Sequence, residues 1–172
     1  MKQFNLVDDI LDFAIENEIE AYKFYTGLSA KMDNPEMNPV RDTPKGDDCQ
    51  RQPVSNGMKQ VFLDFAAEEQ EHRKLLEDIK KGKTFNISSE KVVDLKIAEF
   101  IVAIQPTPDM DYQAALVLAM QKEKKSFHLY TRIANLVTDP ANKQLFQFLA
   151  QQEAKHKLRF ELEYDQVVLK ED

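Results

Sequence analysis

Two of the three histidines in this 172-residue chain follow a glutamate by three positions, as Glu69-x-x-His72 and Glu153-x-x-His156. Three residues along an α-helix is a rotation of about 300°, so both members of each pair leave one face and can grip the same ion. Two more glutamates, Glu18 and Glu123, each precede a tyrosine by seven residues, Tyr25 and Tyr130. Ala14, Tyr22, Tyr25 and Leu28 share a helical stripe with Glu18, and Ala119, Phe127, Tyr130 and Ala134 share one with Glu123. A carboxylate on such a stripe points into a core. Burying four carboxylates unpartnered costs far more than the few kcal/mol by which a domain is stable. Two divalent cations remove that cost, because four glutamates balance their charge when both imidazoles are neutral. Carboxylate and imidazole donors suit Fe first, with Mn or Zn as alternatives, and six protein ligands leave coordination positions open to O₂ or peroxide. The same spacing places Tyr25 and Tyr130 where their hydroxyls can donate to the ligating carboxylates.

These residues need helices to hold them, and the apolar spacing supplies four, at about 6–31, 56–81, 110–137 and 140–169. Ser55 is a candidate cap for the second and Gly82 its stop. Asp109 or Asp111 is placed to cap the third. Thr138 or Asp139 precedes Pro140 at the start of the fourth. A polar stretch at about 33–56, with four prolines and Cys49, reads as an exposed insertion. A connection at about 83–108 carries VVDLKIAEFIVAI, which is apolar enough for a short helix. The expected architecture is all-α, a single domain over 1–172. It is a four-helix bundle in which one long crossover joins the second and third helices, the ferritin-like arrangement.

The chain also repeats itself. EIEAYKFYT (Glu18 to Thr26) matches EKKSFHLYT (Glu123 to Thr131) at an offset of 105, and FLDFAAEEQEHRKLLE (Phe62 to Glu77) matches FQFLAQQEAKHKLRFE (Phe146 to Glu161) at an offset of 84. The first hairpin is therefore longer by an insertion of about 21 residues, the difference of the two offsets. Apolar identities alone would report packing; the repeat also keeps Glu, His and Tyr, which packing does not require. Other polar residues read as surface: His128 lies about 140° around the helix from Glu123, and Glu16, Glu20, Glu68 and Glu71 belong to solvated faces. Phe62, Phe65, Phe146 and Phe160 belong to the core, and Cys49 is an exposed thiol without a catalytic part.

Composition narrows the partners. A formal charge of -7 disfavours nucleic acid and anionic membranes, which reward Lys/Arg surfaces. One cysteine excludes an internal disulfide and any Cys-based metal cluster. The apolar runs are too short to span a bilayer, and Asp8, Asp9 and Asp12 interrupt any leader-like run, so a cytoplasmic location is expected.

On Glu18…Tyr25, Glu69-x-x-His72, Glu123…Tyr130 and Glu153-x-x-His156, and more loosely on DLKIAEFIVAI and MDYQAALVLAMQKEK, the sequence resembles the rubrerythrin group of the ferritin-like superfamily. The resemblance covers nearly the whole chain apart from the insertion. It implies a non-haem di-iron oxidoreductase, part of the oxidative-stress response, that handles hydrogen peroxide or O₂. The chain departs from that group in two places. It lacks the four cysteines of a rubredoxin-like domain, which implies a separate electron donor such as a rubredoxin-like protein. It also has Ser126 where the group carries an extra glutamate one turn after Glu123. The ligand set is equally similar to bacterioferritin, a ferroxidase and iron store, although Gln70 stands where those proteins carry a haem-ligating Met. A non-enzymatic bundle holding Zn or Mn is the third reading. Pairing as a homo-oligomer, in the first instance a dimer, is what the resemblance implies for assembly.

Overall fold

A computed structural model describes residues 6–33, 54–82, 107 and 110–167. The expected insertion, with Cys49, and the expected short helix of the crossover lie outside these residues. Four α-helices are present, α1 (Leu6–Lys31), α2 (Val54–Gly82), α3 (Tyr112–Leu136) and α4 (Pro140–Val167), and no strand is found among the described residues. Among the described residues no helix is long and apolar enough to cross a membrane. The architecture is the all-α four-helix bundle that the periodicity predicts.

The helix ends follow local chemistry. Asp111, rather than Asp109, caps α3: its backbone is extended and its carboxylate accepts from the Ala114 amide at 2.7 Å. Asp139, rather than Thr138, caps α4, accepting from the Asn142 amide at 2.9 Å. Pro140 then takes the first helical position, where its missing N–H costs nothing. The second helix begins two residues before the expected start, so Ser55 sits inside its first turn instead of capping it.

Two apolar clusters occupy opposite ends of the bundle. One gathers Phe24, Tyr25 and Leu28 of α1, Met58, Phe62 and Phe65 of α2, Leu116 of α3 and Phe160 of α4. The other gathers Ile10 and Leu11 of α1, Leu76 of α2, Tyr130 and Ile133 of α3, and Phe146 and Leu149 of α4. Their membership fixes the topology. The C-terminal half of α1 meets the N-terminal halves of α2 and α3 and the C-terminal half of α4. The tightest pairs are α1 with α2 and α3 with α4, each an antiparallel hairpin. Because α2 and α3 run parallel, the end of α2 and the start of α3 lie at opposite ends of the bundle, about 40 Å apart along a helix of 29 residues.

The repeat is visible in the packing. Tyr25 stacks on Phe62 with ring centroids 6.2 Å apart, and the repeat-related Tyr130 and Phe146 lie 6.1 Å apart. Between the two apolar ends the bundle changes character. Its middle layer holds Glu18, Glu69, His72, Glu123, Glu153 and His156, all buried.

Candidate metal centre

Each helix contributes to the middle layer at the turn that its apolar stripe aims inward. Glu18 comes from α1, Glu69 and His72 from α2, Glu123 from α3, and Glu153 and His156 from α4. Their donor atoms form two overlapping groups, each with all atoms within 4.8 Å of one another: Glu18, Glu69, His72 and Glu153, and Glu69, Glu123, Glu153 and His156. Glu69 and Glu153 belong to both groups, while each group has its own histidine and one further glutamate.

Both imidazoles turn Nδ1 inward. His72 Nδ1 lies 3.1 Å from Glu69, 3.4 Å from Glu153 and 3.7 Å from Glu18. His156 Nδ1 lies 3.3 Å from Glu69 and 3.5 Å from Glu123. Four of the five distances fall into repeat-related pairs, 3.4 with 3.3 Å and 3.7 with 3.5 Å, so the duplicated sequence has become an approximate local twofold arrangement of donors.

The protein alone does not satisfy these atoms. Both Glu18 oxygens, one oxygen each of Glu69, Glu123 and Glu153, and Nδ1 of His156 are buried with no hydrogen-bond partner among the described residues. Buried polar groups are ordinarily paired. Glu163 offers a contrast: it too is buried, yet it accepts from the Tyr112 hydroxyl at 2.9 Å and from Arg159 at 3.1 Å. Unsatisfied oxygens and nitrogens converging from four helices fit a pair of cations, and the carboxylate–imidazole donor set suits Fe, Mn or Zn.

Electrostatics reflect the same crowding. Burial, reinforced by the charge on Glu69, pushes the Glu18 carboxyl well above its ordinary range. Burial and the charges of Glu69 and Glu123 do the same to Glu153. Burial acts against charge at Glu69 too, but the adjacent imidazoles of His156 and His72 outweigh it and hold this carboxyl well below its usual range. Burial also opposes the imidazolium form of His72; Glu153, Glu18 and Glu69 overcome it and push His72 up to about 12. His156 is raised in the same way, chiefly by Glu123 and Glu68.

The Rubrerythrin family model matches residues 53–164. The chain belongs to the rubrerythrin family. Rubrerythrins bind a dimetal centre, and the match spans α2, α3 and most of α4, which carry five of the six converging residues. Glu18 lies outside the matched span; the internal repeat and the distances place it in the site. Comparison with curated proteins and with solved structures gave no match.

Three sequence expectations need correction. Glu68 does not simply face solvent: although its side chain is half exposed, Oε2 lies 3.1 Å from His156 Nε2, and this hydrogen bond lowers its pKa. Nothing in the periodicity distinguishes it from Glu71, which is exposed as expected; only the position of α4 does. Tyr22, read as part of the inward stripe, is on the exposed side of α1. Tyr25 and Tyr130 are fully buried, but neither hydroxyl has a partner among the described residues, so the expected bonds to the carboxylates are not formed here. His128, Glu16 and Glu20 are exposed as expected. Ser126 is buried and bonded to Asn17 Nδ2 at 3.0 Å, so this position brings no fifth carboxylate.

Proposed function

We propose that the chain is a di-iron oxidoreductase that reduces hydrogen peroxide, or reacts with O₂, using electrons from a separate donor. The observation that carries this reading is the set of unpartnered donor atoms, from four glutamates and a histidine, in one buried layer. Glu18, Glu69, His72, Glu123, Glu153 and His156 would hold two ions, with Glu69 and Glu153 shared. Two ferrous ions there would supply the two electrons which, with two protons, turn one peroxide into two waters.

The rest is the work of the polypeptide. The apolar clusters above and below exclude bulk water and keep the donors at low dielectric, where their charges act strongly. Each Glu-x-x-His turn fixes two donors on one rigid helix, which limits how far either can drift. Tyr25 and Tyr130, whose hydroxyls are buried without a partner among the described residues, are the hydrogen-bond donors that ligating carboxylates would engage. With a single cysteine the chain has no rubredoxin-type site, so a rubredoxin-like protein is the class of donor proposed. A cytoplasmic homodimer active in oxidative stress completes the reading.

Ser126 favours a second reading. Lacking a carboxylate one turn after Glu123, the site has less means of moving an ion between ligands, which suits ferroxidase chemistry with O₂. Anaerobic iron reconstitution followed by stopped-flow mixing separates the two. Faster oxidation by peroxide than by O₂, without mineral, supports the peroxidase. Faster oxidation by O₂ with mineral formation supports the ferroxidase. Two bound irons inert to both oxidants would overturn both and leave a structural metal bundle.

A further inference from the structure

The repeat makes the two halves of the site equivalent ligand for ligand, yet their surroundings differ. A histidine that ligates through Nδ1 carries its proton on Nε2, and the group accepting that proton fixes the ring and sets its basicity. His156 has such a group: Glu68 Oε2, at 3.1 Å from Nε2. The repeat-related residue on the other side is Gln152, a neutral amide whose oxygen accepts from Lys155 Nζ at 3.0 Å. Nε2 of His72 has no partner among the described residues.

A second difference runs the same way. Phe65 lies flat on the His156 ring, with centroids 4.0 Å apart and planes 23° apart. Its repeat counterpart is Leu149, which has no ring to stack. Phe148 meets the His72 ring only edge-on, with centroids 6.4 Å apart. His156 is thus clamped by a carboxylate at its outer nitrogen and a ring on its face, whereas His72 has neither.

Resting on the dimetal reading above, we propose that the two metal positions are unequal, that the one formed by Glu69, Glu123, Glu153 and His156 fills first and holds its ion more tightly, and that Glu68 is the positioning residue responsible. Three effects of Glu68 act together. It holds the tautomer that leaves Nδ1 free for the ion, it raises the basicity of that nitrogen, and it adds a negative charge to one side only.

Titration of the metal-free full chain with Co(II), followed by calorimetry and by visible ligand-field absorption, tests this. The wild type is expected to bind in two steps, the first about tenfold or more tighter. Anomalous scattering from crystals loaded with one equivalent should place that ion beside His156. Glu68→Gln should weaken the tighter step by about 10- to 100-fold and bring the two constants together. Gln152→Glu, the reciprocal change, should strengthen the weaker step. Glu68 borders an open cavity of about 370 Å³ between α2 and α4, with Asp64, Lys155 and Arg159, so its replacement leaves no buried hole. Unchanged helical circular dichroism and melting of the metal-free variant would separate lost affinity from lost fold. Two equal steps in the wild type, a first ion beside His72, or unchanged constants in Glu68→Gln would overturn the inference and leave the dimetal reading intact. No Co(II) binding at all would overturn both.

Discussion

The imidazoles of His72 and His156 face each other across the bundle with ring centroids 6.2 Å apart and planes within 21° of parallel. They sit 84 residues apart on different helices, and each reaches Glu69 through Nδ1. This pairing sets the frame of the site. Whatever occupies the space between the rings is shared by carboxylates from both halves of the duplicated chain.

Shared and terminal ligands should respond differently to removal. Glu18→Ala takes one donor from one group and should leave about one ion per chain after loading. Glu69→Ala or Glu153→Ala removes a donor from both groups and should leave close to none. Elemental analysis after dialysis measures this. Equal losses from Glu18→Ala and Glu69→Ala would contradict the bridging assignment.

Metal loading should release protons. In the metal-free protein the pKa values of Glu18, Glu153, His72 and His156 are all raised, so each holds its proton to higher pH than it does in the unfolded chain. Ligation requires these protons to leave. Calorimetric titration with Mn(II) in buffers of different ionisation enthalpy should report about two to four protons released per chain at pH 7. A value near zero would count against a ligand role for these groups.

The same shifts fix the sign of the pH dependence. Raised pKa values mean that the folded metal-free chain binds more protons than the unfolded chain. The contribution of His72 and His156 is fully present below about pH 6.5, and that of His72 is lost as pH rises toward about 12. That of Glu18 and Glu153 is present below about pH 4.5 and lost as pH rises through their folded values. Metal-free protein should therefore become less stable between pH 6.5 and 9, by at most about 1.4 kcal/mol per pH unit for each titrating group. Metal-loaded protein, with those protons gone, should not follow this trend. Denaturant melts across the range decide the matter, and a metal-free protein that gains stability with pH would refute it.

Away from the site, packing predicts the cost of truncation. Phe160 is fully buried among Tyr25, Phe62 and Phe65, and Phe160→Ala should cost about 3–5 kcal/mol. Leu158, two residues away and 53% exposed, should cost no more than about 0.5 kcal/mol when cut to Ala. Urea unfolding of the two variants gives the comparison.

The tyrosines make a sharper test of burial. Tyr25→Phe removes a buried hydroxyl that has no partner, so the metal-free protein should be as stable as before or gain about 1 kcal/mol. In the loaded protein the same change should lower stability or metal affinity, because the carboxylate loses its donor. A loss in the metal-free state would mean that the hydroxyl is already bonded there.

The sequence by itself carried the helices, the repeat and the six converging residues, because each follows from periodicity along one element. A Glu-x-x-His pair is a local fact of helix geometry, and its duplication at a fixed offset implies a second copy of the same face. What it could not carry is which atoms meet across elements. Glu68 and Glu71 are both exposed glutamates one or two residues from a site residue. Only the placement of α4 beside α2 brings Glu68 to the His156 ring while Glu71 pairs with Lys74. Likewise the helical stripe predicted buried tyrosines but not that their hydroxyls would be left without partners, and it gave Glu69 and Glu153 no precedence over Glu18 and Glu123. Bridging is a property of the space between helices. It depends on the crossing of four rods whose mutual distances are set by the apolar clusters at either end, and no one-dimensional pattern records that.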